Sequence, residues 1–273
     1  MKRRTFFKKI FAIIGVSLTA GTAYAYHSGK IEVTRSTITS QNLHHRLRVV
    51  ALSDIHAPGC KFSFAELASL INNASPDIFI LAGDIVDKRG HEDWVTSFDY
   101  VDAGIAKLAV LGNWEYYGKL DLKKLQKKYE KADISLLVNR EVAVPGFKVV
   151  GLDDLLFGLP DLQLVHGRSN SNEPRLVISH CPKIFDSLPS SISSSLLILS
   201  GHTHGGQIAP FRIPLLTPSG SGSYVKGWYR KEAHSMYVMR GIGTTPGLPF
   251  RIGARPEILV LDIVPTQSAG HRW

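Results

Sequence analysis

The chain has 273 residues, 44% apolar and 20% charged, with two cysteines and a formal charge of +9. This composition excludes an intrinsically disordered, fibrous or disulfide-framework protein, and the length permits a sizeable core. The positive excess fits nucleic acid, an acidic membrane surface or a phosphorylated substrate, so its position along the chain decides its meaning.

Lys2, Arg3, Arg4, Lys8 and Lys9 place five of the positive charges in the first nine residues, with no acid among them. The apolar run Ile10 to Leu18 follows, then small residues ending Ala23-Tyr24-Ala25. Residues 1–25 therefore read as an export signal or N-terminal anchor, which places the protein outside the cytoplasm, periplasmic or membrane-anchored. Arg3-Arg4-Thr5-Phe6-Phe7-Lys8 resembles the twin-arginine export motif. A basic amphipathic helix with no export role is the bland alternative. Nine less the five charges of this segment leaves a body of only +4.

Residues 26–46 are polar and rich in threonine and serine, and read as a linker or an edge segment. Strand-length apolar runs follow at Leu47–Leu52, Ile78–Ala82, Leu108–Leu111, Lys148–Leu152, Leu176–Ser179 and Leu196–Ser200. The first three have the continuous aliphatic character of strands buried on both faces. Phe64, Leu67, Ala68 and Ile71 recur at helical spacing in 64–73, and the lysine- and leucine-rich stretch 120–131 predicts an exposed helix. From Gly205 the glycine and proline content predicts loops and short strands. Alternating strands and helices argue an α/β fold, with one domain over 47–265 and a tail at 266–273.

Polar residues cluster where the strands end. They are Asp54 and His56, Asp84, Asn113, His180, and the run Gly201-His202-Thr203-His204-Gly205-Gly206-Gln207. In open α/β sheets ligands bind at the carboxyl ends of strands. Carboxylate and imidazole suit Mn, Fe, Zn or Ni, and two such ions can activate water against a phosphorus centre. In an extended segment Asp54 and His56 share one face, as do His202 and His204. Asp84 is placed to bridge two ions, and glycines 83, 112, 201, 205 and 206 permit close backbone approach. Singly, each element is weak: Asp84 is also a plausible helix cap and Asn113 a turn residue. The ordered set is what points to two metals.

These motifs, in this order, resemble the calcineurin-like metallophosphoesterase superfamily over roughly 46–265. The matching residues are Asp54-Ile55-His56, Gly83-Asp84, Gly112-Asn113, His180 and Gly201-His202-Thr203-His204. Within it the chain resembles the twin-arginine-exported bacterial phosphodiesterase branch, which includes UDP-2,3-diacylglucosamine pyrophosphatase-like enzymes. Arg240-Gly241-Ile242-Gly243 and Arg255-Pro256-Glu257 resemble that branch's tail. The resemblance implies a four-layer α-β-β-α sandwich of two mixed sheets. It implies one divalent ion on Asp54, His56, Asp84 and His204, and a second on Asp84, Asn113, His180 and His202. The metal identity stays open among Mn, Fe, Zn and Mg. It further implies in-line attack of a metal-bridging hydroxide on a phosphodiester or pyrophosphate, with Asp84, Asn113 and His180 catalytic.

The family's G-N-H-D/E is Gly112-Asn113-Trp114-Glu115 here. Tryptophan offers one N–H donor and no transferable proton, so it cannot replace histidine as an acid. Three readings follow: a substrate with a good leaving group, another acid such as His91 or Tyr116, or an impaired enzyme that mainly binds. Trp114 and Arg240 are the candidate substrate contacts, with Arg251 and Arg255 as further arginines for phosphate oxygens. Asp87 is a candidate partner for a metal-bound histidine. Export makes a Cys60–Cys181 disulfide possible, and two unpaired thiols equally so. The expected partner is a phosphorylated small molecule or lipid-linked substrate, with membrane-surface contact possible. No zinc-finger, P-loop or Rossmann spacing supports nucleic acid or a nucleotide cofactor. A metal-binding regulatory protein and a phosphomonoesterase are the competing functions.

Overall fold

The computed structural model describes residues 30–41, 43–57, 59–87, 92–166, 174–188, 195–266 and 271–272. The export or anchor segment 1–25 and His91 lie outside the described residues.

Two mixed sheets form the centre. The strands are β1 (Glu32–Ser40), β2 (Leu47–Leu52), β3 (Ile78–Ala82), β4 (Ala106–Val110), β5 (Ser135–Leu136), β6 (Arg140–Val144) and β7 (Phe147–Gly151). They continue with β8 (Arg175–Ile178), β9 (Leu196–Ser200), β10 (Gly227–Lys231), β11 (His234–Val238), β12 (Glu257–Pro265) and β13 (His271–Arg272). The first sheet runs β13-β1-β12-β2-β3-β4-β5 and the second β10-β11-β9-β8-β7-β6. The helices are α1 (Phe64–Ala74), α2 (Asp93–Thr96), α3 (Asn113–Tyr117), α4 (Leu122–Lys131) and α5 (Gln163–His166).

Strand alternation sorts the aliphatic residues into three cores. Val49, Ala51, Ile78, Ile80, Leu108 and Val110 point from the first sheet toward Leu176, Ile178, Leu197 and Leu199 of the second. Their neighbours Val50, Leu52, Phe79, Leu81 and Ala109 face the other way, onto Leu67 and Ile71 of α1 and Leu125 and Tyr129 of α4. Val177, Leu196 and Ile198 of the second sheet pack on Val165 of α5 and on Ile184 and Phe185. Both faces of β2, β3 and β4 are thus covered, which is why these strands are apolar at every position. Each fully buried Val, Leu or Ile side chain is worth about 1.5–3 kcal/mol. The result is the four-layer α-β-β-α sandwich.

Helix ends follow local chemistry. Ser63 Oγ accepts the Glu66 N–H at 3.2 Å to start α1, which ends at Ser75 in the left-handed region, just before Pro76. Asp121 caps α4 by accepting from Lys123 and Lys124. The α4 lysines form a solvated face over buried Leu125 and Tyr129.

Several elements lay outside the expected pattern. Residues 32–40, within the stretch read as linker or edge, form nine-residue β1, paired in parallel with β12 along its length. Glycine and proline from Gly205 onward predicted short strands, yet β12 is nine residues long and inserts between β1 and antiparallel β2. His271 and Arg272 of the tail pair with β1.

Candidate metal centre

The site lies across the end of the sandwich where strands of both sheets finish. β2 delivers Asp54 and His56, β3 Asp84, β4 Asn113, β8 His180, and β9 His202 and His204. Backbone bonds lock these ends together: Asp54 N–H to Gly83 O and His56 N–H to Asp84 O at 3.0 Å, and Gly201 N–H to His180 O at 3.0 Å.

Among the described residues, two groups could hold a metal ion: Asp54, His56 and His204, and Asp84, His180 and His202. In each, one ligand atom per residue lies within 4.8 Å of the others, and all six residues are buried. In the first, His56 Nε2 and His204 Nε2 stand 3.1 Å apart, with Asp54 Oδ1 at 3.5 Å from His204 Nε2. In the second, Asp84 Oδ2 is 3.1 Å from His180 Nε2. Asn113 Oδ1 joins that group at 3.2 Å from His180 Nε2 and 2.9 Å from His202 Nδ1. The groups meet at Asp84, whose Oδ2 is also 3.7 Å from His56 Nε2. The seven residues singled out as ligands therefore converge on one place.

They do not converge by the expected route. An extended Asp54-Ile55-His56 is not what the chain forms: Asp54 and His56 both have φ of 51°, and Asp84, His202 and His204 have 55°, 73° and 51°. Five candidate ligands thus occupy the left-handed region, which disfavours residues with a Cβ by about 1–2 kcal/mol each. The strands stop before the ligands, and tight turns aim the side chains across the gap between sheets. Such strain persists only where the surroundings over-determine it. Two glycines show how tightly they do. A Cβ on Gly112 meets Asp84 Oδ1 at 2.3 Å, and one on Gly201 meets Asp54 Oδ2 at 2.5 Å.

Electrostatics favour metal over proton at most of the ligands. Burial, against the pull of Asp84 and Asp87, lowers His56 to about 4. Burial, reinforced by His56 and Arg251, holds His204 well below its ordinary value, and burial with His180 lowers His202. His180 is the exception. Burial opposes its charge, but the charge of Asp84 and its hydrogen bond, then Asp54 and Asp154, raise it well above the ordinary value. Burial also pushes Asp54 upward, while Asp84 is lowered: burial opposes its ionisation, but His180 and His56 overcome it. Imidazoles, two carboxylates and an amide oxygen form a donor set suited to first-row divalent ions. Backbone carbonyls orient two of the rings: His180 Nδ1 bonds Ala82 O at 2.8 Å and His202 Nε2 bonds Ser219 O at 2.6 Å. Asp87 Oδ2 lies 4.0 Å from His56 Nδ1.

Other expectations are redirected. Tyr116 donates to Asp153 at 2.5 Å, and burial plus that carboxylate raises its pKa far above the ordinary value, so its proton is committed. Arg240 was expected at substrate. Its guanidinium instead bonds Glu32, Thr34 and Glu257 at 2.9–3.1 Å, fastening β1 beside the site. Arg251 is buried and donates to the carbonyls of Gly243, Arg240, His204 and Ala254, with Nη2 3.2 Å from His204 Nδ1. Arg255 sits 3.8 Å from Glu32. Both cysteines are free thiols. Trp114 is half-buried, edge-on to His56 with centroids 5.8 Å apart, and also packs on Tyr117 at 5.1 Å. Tyr117 in turn meets Phe157 at 6.2 Å, so an aromatic wall runs from the ligands to solvent.

Sequence reasoning assigned no role to Glu115, Asp153 or Asp154. Glu115 is fully buried and accepts four backbone N–H groups, from Asp84, Ile85, Val86 and Gly112. Asp153 accepts from Asp154 and Leu159, and Asp154 from Leu156 and Phe157, shaping the loop that carries Phe157. An acid two residues after Asn113 and an Asp-Asp pair before apolar residues are the only sequence signals for these roles.

Residues 47–206 match the family model described as calcineurin-like phosphoesterase. The chain is 32% identical to the uncharacterized metallophosphoesterase YkuE of Bacillus subtilis, across 97% of this chain and 99% of that protein. It is 30% identical to the uncharacterized metallophosphoesterase Cj0846 of Campylobacter jejuni, across 85% of this chain but only 63% of that longer protein. The crystal structure of a dimetal phosphatase from Danio rerio superposes with a TM-score of 0.42 at 15% identity, covering 78% of this chain and 98% of that one.

Proposed function

From the premise that the chain belongs to the calcineurin-like phosphoesterase family, we propose that it is a phosphohydrolase with a binuclear metal centre, cleaving a phosphodiester or pyrophosphate bond. The observation that carries this reading is Asp84. One buried carboxylate oxygen lies within 3.1 Å of a histidine of one ligand group and 3.7 Å of a histidine of the other. Asp54, His56 and His204 would hold one ion, and His180, His202 and Asn113 the other, with Asp84 shared. Ions bound there supply Lewis acidity and make water a competent nucleophile near neutral pH.

The protein's own part is positioning. Turns at the strand ends aim the ligands, and Asn113 adds an oxygen without charge. The wall of Trp114, Tyr117 and Phe157 gives an apolar side to whatever flanks the phosphoryl group. That wall supports a substrate with a ring or acyl portion, in keeping with the exported branch and its lipid-linked nucleotide-sugar substrates, and with a site facing the periplasm. With Trp114 unable to give a proton and Tyr116 tied to Asp153, the reading favours leaving groups that depart without one, such as a phosphate or phenolate.

The test pairs metal stoichiometry with an assay panel of phosphodiester, phosphomonoester and nucleotide-sugar diphosphate substrates. Two ions per chain and turnover of diesters or diphosphates, lost in Asp84→Asn and His202→Ala, are expected. Two ions with no turnover would make it a binding protein. Preference for monoesters would make it a phosphomonoesterase. Fewer than two ions under all conditions would refute the ligand scheme.

A further inference from the structure

The segment between the last metal-ligand candidate and Gly220 is an excursion that starts and ends at the site. It leaves His204 through Gly205, Gly206 and Gln207, and returns at Ser219, whose carbonyl lies 2.6 Å from His202 Nε2. Its tip is Pro210-Phe211-Arg212-Ile213-Pro214-Leu215-Leu216. Four large apolar side chains stand in solvent there: Phe211 at 90% exposure, Leu216 at 84%, Ile213 at 66% and Leu215 at 62%. The loop is nonetheless held. Leu215 N–H bonds Ile208 O at 3.0 Å, and Ala209 N–H bonds Ile252 O at 2.7 Å. Gln207 Nε2 bonds Leu248 O at 2.7 Å, which fixes the neighbouring loop bearing exposed Phe250. A held loop that exposes this much contiguous apolar surface marks an interaction site.

Charge and chain path indicate the occupant. From Ser187 to Lys231 the sequence has no Asp or Glu. Arg212 stands exposed in the loop, and Lys226 reaches its carbonyl at 3.4 Å. Lys226 is lowered by burial and by the charges of Arg240 and Arg212, with Glu257 opposing, so positive charge prevails around it. The first described strand also enters at this end. Glu32 pairs in register with Glu257, while Leu259 pairs with Ala51, so the start of β1 lies beside the point where β2 runs into Asp54. Glu32 is bonded to Arg240, whose side chain lies against Gly205. The residues preceding Lys30 hold five basic groups and the apolar run Ile10 to Leu18. The described chain therefore begins, at Lys30, on the same side as the apolar loop. Aromatic and aliphatic side chains flanked by cations are the composition of an interfacial membrane contact.

We propose that the loop 210–216 inserts its apolar tip into an anionic phospholipid bilayer, presenting the metal centre to the membrane surface. This does not depend on the catalytic reading, because the test measures binding alone. An environment-sensitive fluorophore is attached at Leu216→Cys in a Cys60→Ser background of the full chain, with Tyr100→Cys on the helical layer as control. Vesicles of phosphatidylglycerol and phosphatidylcholine with nitroxide-labelled acyl chains are added. The expected result is a blue shift and quenching at position 216 and not at 100, with the quenching at least halved by Arg212→Glu combined with Lys226→Glu. Protein that does not float with the vesicles overturns the proposal, as does vesicle-bound protein with an unquenched label at 216. A label buried by self-association without lipid also overturns it, in favour of a second copy.

Discussion

Glu115 holds Asp84 by the backbone: its Oε2 accepts the Asp84 N–H at 3.1 Å and the Gly112 N–H at 2.8 Å, while Oε1 takes Ile85 and Val86. One side chain thus clamps the end of β3 to the start of α3, while Asp84 Oδ1 accepts the Trp114 N–H at 2.8 Å from the other direction. The carboxyl, pushed up to about 7 by burial and by the charge of Asp84, is held here despite its surroundings. Removing it leaves four buried donors without an acceptor, each worth about 1–3 kcal/mol when unsatisfied. Glu115→Ala is expected to lose at least about 3 kcal/mol of stability and tenfold or more in metal affinity. Glu115→Gln, which keeps one acceptor oxygen, should fall between. Urea denaturation and titration calorimetry with manganese measure both, and an unchanged urea midpoint in Glu115→Ala would refute the clamp.

Arg251 bears on one ligand group only. Its guanidinium holds the carbonyls of residues 204, 240, 243 and 254 and touches His204, but no hydrogen bond links it to His180 or His202. Burial lowers its pKa to about 10, so it remains charged at neutral pH. Arg251→Met should leave these carbonyls unpaired and loosen the Asp54–His56–His204 group first. Metal analysis at limiting concentrations is expected to fall from two ions toward one. Equal weakening of both ions would show that Arg251 supports the fold generally.

Metal loading should release protons, with His180 as a source beside Asp54 and Glu115, whose carboxyls burial also pushes upward. In the metal-free protein Asp84, 3.1 Å away, keeps His180 protonated above its ordinary range, while His56, His202 and His204 are already neutral. Near pH 7, calorimetry in buffers of different ionisation enthalpy should report net proton release, and affinity should rise with pH until His180 and the two raised carboxyls deprotonate. The same shift has a stability consequence. A histidine raised by folding stabilises fully below its unfolded pKa of about 6.5, and that contribution is lost as pH rises through the folded value. Chelator-treated protein should therefore lose stability on the alkaline side, and metal-loaded protein should not. A metal-binding enthalpy independent of buffer would sink this account.

The central strands were readable because each has a local signature, and so was the gathering of seven candidate residues at the strand ends. Continuous aliphatic runs identify β2, β3, β4 and β9, and a polar residue at the end of each run marks the rim of the sheet. β1 was not readable: seven of its nine residues are polar and its first three are only half-buried, and only pairing with β12 makes 32–40 a strand. Glu115 and Arg251 were hidden for a related reason. Their partners are backbone groups far along the chain, so nothing in the adjoining residues announces them. The left-handed ligands were also invisible, since Asp54 and His56 would share a face in the extended form that the chain does not adopt.

Trp114 offers the sharpest test of substrate class. Its backbone N–H is engaged by Asp84, and its ring stands edge-on to His56 and Tyr117, so it lines the site without a proton to give. Tyr116, next to Glu115, is bound to Asp153 and unavailable as an acid. General acid catalysis is worth about 10²–10⁴-fold where a leaving group needs protonation and little where it does not. Wild-type protein should therefore turn over p-nitrophenyl phosphodiesters far better than alkyl ones. Trp114→His should raise alkyl ester turnover about tenfold or more relative to p-nitrophenyl esters, and Trp114→Phe should leave that ratio unchanged. The two variants separate proton donation from loss of the indole, because both shorten the wall but only one adds a titratable ring. If Trp114→His improves alkyl esters no more than p-nitrophenyl esters, protonation is not what limits this site, and the preference for activated leaving groups fails.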